Sequence, residues 1–568
     1  MTRLARALRS INPLTALAQR LLLSRAKHRS LTGHPRIALR LARLVPEYGY
    51  SAEEALGIDG APAAIRQTRA AGLARLEATL RDRAPKTLAA SRALAVGVSD
   101  MQMVARCRVP FQFRDSLAAR LGVGSIVESA EGVQLRDLDG NFAYDLGGSY
   151  GVNLFGNDVY RRCIEKAVEQ ARSLGLVLGA YHPVVADNVA RLCALSGMDE
   201  VSFHMSGTEA VMQAVRLARY QTGRTHVVRF AGAYHGWWDG VQPGPGNPLP
   251  VDRVYTLEEM SATTLKLLGT RDDIACVLVN PLQALNPNAP PAVDSTLVAG
   301  VRTAHFDKAR YTRWLGDLRT VCDARGIALI FDEVFLGFRL AKGGAQEFFG
   351  VSADMVTYGK TLGGGLPVGV VCGRQRWMRR FREDRPADLC FARGTFSAHP
   401  YVMCAMQAML DYLETPAADA TWMNLEARWH ERATRLNDAM ASAGVPVRVA
   451  NMASVFTTNF TEPGRFHWLL QYYLRAEGLS LAWVGTGRFI FSHDYTDADV
   501  AEVTRRFVCA ARAMDADGWF WRDPAASDAA IRSQVGREML RAVFGRRTAA
   551  ASAPAPRPDA PATAPVTQ

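Results

Sequence analysis

Between residues 200 and 375, short apolar runs rich in β-branched residues alternate with longer Ala/Leu/Arg-rich stretches. Residues 225–230, 275–279, 327–331 and 367–372 read as strands and the segments around them as helices. Such alternation implies an α/β fold: a mainly parallel sheet, its crossover helices covering both faces. Ligands of such sheets sit beyond the carboxyl ends of the strands, so the polar residues there are the first candidates for chemistry.

The 568 residues are 48% hydrophobic and 21% charged, enough for two or three domains and a large core. A wholly disordered chain is excluded, and a mean hydropathy of −0.05 excludes a polytopic membrane protein. The nine cysteines lie singly with no CxxC pair, which reads as reduced thiols in the cytoplasm rather than a disulfide scaffold or a zinc site.

The net charge of +12 is uneven, since residues 1–50 hold ten Lys/Arg and one acid. Three readings stay open for this arm: a basic helix making weak contact with an acidic membrane surface or a protein, an Arg-rich transit peptide, or an accessory helical region. The apolar stretch 14–23 is interrupted by Arg20 and too short to span a bilayer. No nucleic-acid partner is expected, because basic residues are not interleaved with aromatics and no helix-turn-helix or zinc pattern appears. From residue 548 onward, Ala, Pro, Ser and Thr compose a disordered tail.

Five small motifs carry the chemistry. Ser206-Gly207-Thr208-Glu209 precedes a helical pattern ended by Gly223, which is either an ordinary N-cap or a phosphate site using the same unsatisfied N–H groups. Tyr234-His235-Gly236 follows a strand and offers a ring for stacking or for core packing. Asp332-Glu333 closes another strand; the pair is a cap or ion pair, or else a carboxylate that keeps a cofactor's ring nitrogen protonated. Lys360 sits between apolar runs among glycines, where desolvation lowers its pKa as Schiff-base chemistry requires. Gly394-Thr395 offers a second phosphate-type turn.

In that order the motifs describe a pyridoxal 5'-phosphate site. The chain resembles the class III, fold type I aminotransferases, and most closely their glutamate-1-semialdehyde 2,1-aminomutase branch. The likeness rests on Met205-Ser206-Gly207-Thr208-Glu209-Ala210, Ala233-Tyr234-His235-Gly236, Ile330-Phe331-Asp332-Glu333-Val334, Gly337-Phe338-Arg339, Gly343-Gly344-Ala345-Gln346, Tyr358-Gly359-Lys360, Gly363-Gly364-Gly365-Leu366-Pro367-Val368-Gly369 and Gly394-Thr395-Phe396-Ser397. It implies Lys360 as Schiff-base lysine and proton shuttle and Asp332 as partner of the pyridine nitrogen. It further implies Tyr234 and Val334 on the two ring faces with His235 beside them, Ser206, Gly207 and Thr208 on the phosphate, and Thr395 supplied by a second subunit of a homodimer.

Residues 1–115 read from their composition as a basic, mostly helical extension, and the resemblance implies a first segment of a small domain over 116–155 and a large cofactor-binding domain over 156–400. The small α/β domain resumes over 401–518, and 519–568 forms a helical end and the tail. Two departures from the aminomutase branch bear on substrate. Arg114 in Val109-Pro110-Phe111-Gln112-Phe113-Arg114 is the counterpart of an arginine that takes the substrate carboxylate. Arg488 stands where the branch has a glutamate, and offers a bidentate clamp for a donor carboxylate.

Three functions therefore compete: amino transfer from a small-molecule donor to an aldehyde or ketone acceptor, free or carrier-linked; intramolecular transfer by an aminomutase; and a catalytically inactive scaffold. Retention of both Asp332 and Lys360 argues against the scaffold.

Overall fold

A computed structural model describes residues 13–249, 252–289, 304–482 and 485–551. In chain order its strands are β1 (Ser129–Glu131), β2 (Gln134–Arg136), β3 (Phe142–Asp145), β4 (Glu200–His204), β5 (His226–Phe230), β6 (Val254–Leu257), β7 (Ile274–Val279) and β8 (Ala328–Asp332). They continue as β9 (Met355–Gly359), β10 (Gly369–Gly373), β11 (Val447–Met452), β12 (Val455–Phe460), β13 (Leu479–Ser480) and β14 (Arg488–Ile490).

The largest sheet has the order β4-β10-β9-β8-β7-β5-β6. Every residue of β7 and β8 is buried, as strands covered on both faces must be. Ile330 joins Ala210, Val211 and Ala214 of the helix Gly207–Thr222 on one face. Leu329 and Phe331 join Trp314, Leu315 and Leu318 of the helix Lys308–Arg325 on the other. The pairs from β6 through β9 are parallel.

The expected parallel sheet is broken at one strand, for β10 runs antiparallel to both β9 and β4. Only nine residues separate β9 from β10, fewer than the dozen or so that a parallel crossover needs. That short connection carries Lys360.

In a second sheet of order β1-β2-β3-β13, the late strand β13 pairs in parallel with β3. The third, β11-β12-β14, is antiparallel.

The N-terminal region folds into the helices Pro13–Arg25, Pro35–Leu44, Ala52–Leu56, Ala63–Arg83, Pro85–Gly97 and Ser99–Cys107. Part of its positive charge is spent on the chain itself, since Arg36 pairs with Asp252 at 2.7 Å and Arg43 donates to the Pro248 carbonyl. The helix Ala63–Arg83 packs on the helix Leu470–Ala476. Its fully buried Arg69 donates to the carbonyls of Leu56, Gly518 and Trp521 and lies over the Phe466 ring.

A second buried arginine gathers both ends of the chain. Arg465 pairs with Asp59 at 3.4 Å and Glu538 at 3.2 Å, and the Tyr50 hydroxyl bonds both Arg465 and Glu538. Glu538 belongs to the helix Asp528–Ala551, which takes in residues 548–551 that the sequence reading gave to a disordered tail: alanine is the strongest helix former. Residues 552–568 and the first twelve of the arm lie outside the described residues. No described helix is long and apolar enough to cross a membrane.

Candidate active site

Asp332 ends β8, buried, with three hydrogen bonds on its carboxylate. Oδ1 accepts from the Thr357 hydroxyl at 3.2 Å and the Val334 amide at 3.3 Å, while Oδ2 accepts from His235 Nδ1 at 2.8 Å. Burial holds the His235 pKa below its ordinary value despite the opposing pull of Asp332. His235 is therefore a neutral imidazole donating from Nδ1. Thr357 faces Asp332 across the β8–β9 register.

The neighbouring carboxylate has a different fate. Glu333 points away from Asp332, is fully buried, and accepts from the Ala345 amide at 2.6 Å. Burial pushes its pKa up to about 8, against the pull of the backbone amides of Ala345 and Gln346.

Lys360 opens the turn Lys360–Gly363 with φ of +48°, a left-handed conformation rare for a residue with a Cβ. Desolvation lowers its ammonium pKa, the negative charge of Asp332 opposes that shift, and Arg339 reinforces it. Its Nζ lies 5.6 Å from the centroid of the Phe335 ring. The next residue, Thr361, donates to the Val152 carbonyl at 3.0 Å and anchors the turn. Arg339 is fully buried and donates to Ser454 Oγ and the carbonyls of Phe491 and Gly151, bracing the floor beneath Lys360.

Ser206 caps the helix Gly207–Thr222, its hydroxyl accepting from the Glu209 amide at 3.3 Å. The capping reading and the phosphate reading coexist, because the first turn of a helix leaves further N–H groups without intrahelical acceptors. Glycines let the segments around it approach one another closely. A Cβ on Gly207 would fall 2.5 Å from Val334 Cγ1, and one on Gly236 would fall 2.5 Å from Thr208 Oγ1. On Gly369 it would strike the Ser206 carbonyl at 1.9 Å. Glycine at these three positions brings Ser206, Thr208, Val334 and the Tyr234–Gly236 loop together into one cradle, which larger residues would force apart.

That cradle, a strand-end carboxylate and a desolvated lysine fit pyridoxal phosphate: N–H and hydroxyl donors for the phosphate, a fixed negative charge for the ring nitrogen, and an amine able to lose its proton. Tyr234 is 52% exposed, which leaves its ring available to a planar ligand.

The other sequence candidates fall elsewhere. Thr395 lies on an exposed loop tied to the distant segment around Gly179 by Arg393, which donates to the Gly179 carbonyl. Arg114 binds Glu47 at 2.6 Å and the Arg106 carbonyl, so it is held by the extension. Arg488 opens β14 and lines a cavity of about 40 Å³ with Tyr234, Asn280 and Thr457. Sequence reading missed Thr357 and Phe335. Thr357 becomes a partner of Asp332 only through strand register, and Phe335 meets Lys360 only through the turn after β8.

A family model for class-III aminotransferases matches residues 119–510. A glutamate-1-semialdehyde 2,1-aminomutase from Nitratidesulfovibrio vulgaris (strain DP4) is 34% identical over 69% of this chain and 94% of its own. Among solved structures, a β-phenylalanine aminotransferase from Variovorax paradoxus aligns with a TM-score of 0.61 at 26% identity, covering 78% of this chain and 96% of its own. A transaminase with bound pyridoxal phosphate aligns at 0.56 with 27% identity over 68% of this chain and 90% of its own. Sequence match, shared fold and the fit of the cradle agree: the chain belongs to the class-III aminotransferases, pyridoxal-phosphate enzymes that act on small-molecule amino donors and acceptors.

Proposed function

We propose that this enzyme transfers an amino group between two molecules, from an amino-acid donor to an aldehyde or ketone acceptor. The observation that carries this reading is Arg488, which shares the cavity beside Tyr234 and Asn280 and is suited to clamp a donor carboxylate in two parallel hydrogen bonds. Bound pyridoxal phosphate supplies the electron sink that acidifies the donor's Cα proton. Lys360, its ammonium destabilised by burial, takes that proton at Nζ and returns it to the product. Asp332 holds a negative charge at the end of β8, and His235 and Thr357 fix its two oxygens. Gly207, Thr208 and the capped Ser206 bind the phosphate, and Val334 and Tyr234 confine the ring.

The active unit in this reading is a homodimer to which Thr395 contributes from the neighbouring subunit. Support comes from Tyr181 and Phe391, large apolar side chains about 70% exposed in the single chain, on two segments that Arg393 ties together through the Gly179 carbonyl. Pairing of β3 with β13 supports grouping residues 116–155 with 401–518 as one small domain, beside a large domain of 156–400. Nine free thiols are in keeping with the cytoplasm.

A visible spectrum of the purified holoenzyme before and after L-glutamate tests the reading. Conversion of the yellow cofactor band with release of 2-oxoglutarate is the expected result. A band that no amino-acid donor moves, with turnover of glutamate 1-semialdehyde instead, would assign the aminomutase reaction, the activity named for the Nitratidesulfovibrio relative.

A further inference from the structure

The first acid in the sequence is Glu47, and ten Lys/Arg precede it. The arm that carries them is docked on the body of the molecule. Ala26 is fully buried, and its carbonyl accepts from the Glu258 amide and the Thr264 hydroxyl. Leu22 and Leu23 pack against the core, and Pro35 lies against Gly244. A segment held in this way keeps a fixed outward side.

That outward side is apolar. Ile37, Leu41 and Leu44 recur at i, i+4 and i+7 along the helix Pro35–Leu44, so they form one stripe. Leu17 and Leu21 repeat at i and i+4 in the helix Pro13–Arg25, and Leu31 lies between the two helices. These six side chains are 42–61% exposed. None of the ten residues of Pro35–Leu44 is buried, although its apolar spacing is that of a helix made to lie on something.

Cations stand among these side chains. Arg20 lies one turn after Leu17, and Arg40 lies one turn from both Ile37 and Leu44. Some of the arm's charge is already engaged: Arg36 pairs with Asp252, Arg43 donates to the Pro248 carbonyl, and Glu47 is taken by Arg106 and Arg114. Arg20, Arg25, Arg29 and Arg40 are exposed and have no acidic partner among the described residues.

Composition separates the occupants that such a face could take. A second copy of the arm would set the same arginines against one another. A single-stranded nucleic acid stacks its bases on aromatic rings, and residues 13–44 contain no Phe, Trp or Tyr. Leucine and isoleucine interleaved with arginine match a surface that is both oily and negative, which is an anionic phospholipid bilayer.

We propose that residues 13–44 seat this enzyme on anionic phospholipid membranes, with Ile37, Leu41 and Leu44 entering the headgroup boundary and Arg20, Arg25, Arg29 and Arg40 meeting lipid phosphates. The arm lies on the bilayer and does not cross it, for no described helix is long and apolar enough to do so. The proposal is independent of the amino-transfer reading, since the arm precedes residue 119, where the class-III match begins.

The test is flotation of the full-length holoenzyme with vesicles of mixed phosphatidylglycerol and phosphatidylcholine. Binding is expected, at least about tenfold weaker on phosphatidylcholine alone and reduced by added salt, which screens exposed charges. Ile37→Gln combined with Leu41→Gln should weaken it at least about tenfold, and so should Arg20→Gln combined with Arg40→Gln. All four positions are exposed, so the thermal midpoint and the cofactor absorbance should stay those of the wild type. No binding to the mixed vesicles, equal binding to phosphatidylcholine, or binding that survives either double variant would overturn the proposal. A smaller oligomer for the Ile37/Leu41 variant in sedimentation velocity would overturn it by assigning the face to a second copy. Tighter binding to poly-uridine than to the mixed vesicles would overturn it in favour of a nucleic acid.

Discussion

The imidazole of His235 donates to Asp332 across 2.8 Å with both side chains shut away from solvent. The pair sets where the carboxylate stands. Asp332→Asn keeps the shape and loses the charge, so cofactor should remain bound while the single-turnover rate of proton transfer falls about 10²–10⁴-fold. An Asn variant as fast as the wild type would remove Asp332 from the mechanism.

His235→Phe deletes the donor and leaves Asp332 with Thr357 and the Val334 amide. A hydrogen bond to a charged group is worth about 1.5–3 kcal/mol, so the proton-transfer rate should drop about ten- to a hundredfold. His235→Asn, which can still donate, should recover part of that loss. Rapid-scan spectroscopy of the donor half-reaction measures both.

Arg488 is assigned to the donor carboxylate. Arg488→Gln should raise KM for the donor about ten- to a hundredfold and leave kcat within about threefold, the signature of lost binding that is equal in ground and transition states. A fall in kcat at unchanged KM would move Arg488 to a positioning role.

The positions of the central strands, and the lysine proposed to react, stood out in the sequence because each depends on local pattern. Residues 275–279 and 327–331 announce buried strands, and Lys360 stands out by its glycine neighbours. The antiparallel course of β10 was not legible, since it follows from the length of one connection rather than from the strand's own residues. Nor were the partners of Asp332 at Thr357, which requires the register of two strands. The two acids after residue 331 look equivalent in sequence, yet one faces the site and the other hydrogen-bonds Ala345 in the core; alternation of side chains along a strand separates them.

Gly369 tests the cradle through backbone alone. Any Cβ there meets the Ser206 carbonyl at 1.9 Å, and the β10–β4 ladder holds Gly369 in place opposite His204. Gly369→Ala should destabilise the fold by about 3 kcal/mol and weaken cofactor retention through displacement of Ser206. Urea unfolding and dialysis against buffer without cofactor check the two effects.

Acid sensitivity has a definite sign. Burial lowers the His204 pKa from 6.5 to about 4, so between these values the unfolded chain binds the proton and the folded one does not. The resulting stability is complete above pH 6.5 and lost as pH falls toward 4. His204→Gln should therefore lose about 2 kcal/mol less stability than the wild type between pH 7 and pH 5, as read by urea titration at the two pH values.

The meeting of Asp59, Arg465 and Glu538 makes the two ends of the polypeptide mutually dependent. Trimming either end strands a guanidinium in the interior with half its counter-charge gone, which is a core lesion even though the cut lies far away in sequence. The appended helices are thus not detachable cargo. Denaturation of this enzyme should register as one cooperative event in which extension and catalytic body are lost together, and shortened versions should fail as whole proteins rather than as proteins lacking an accessory.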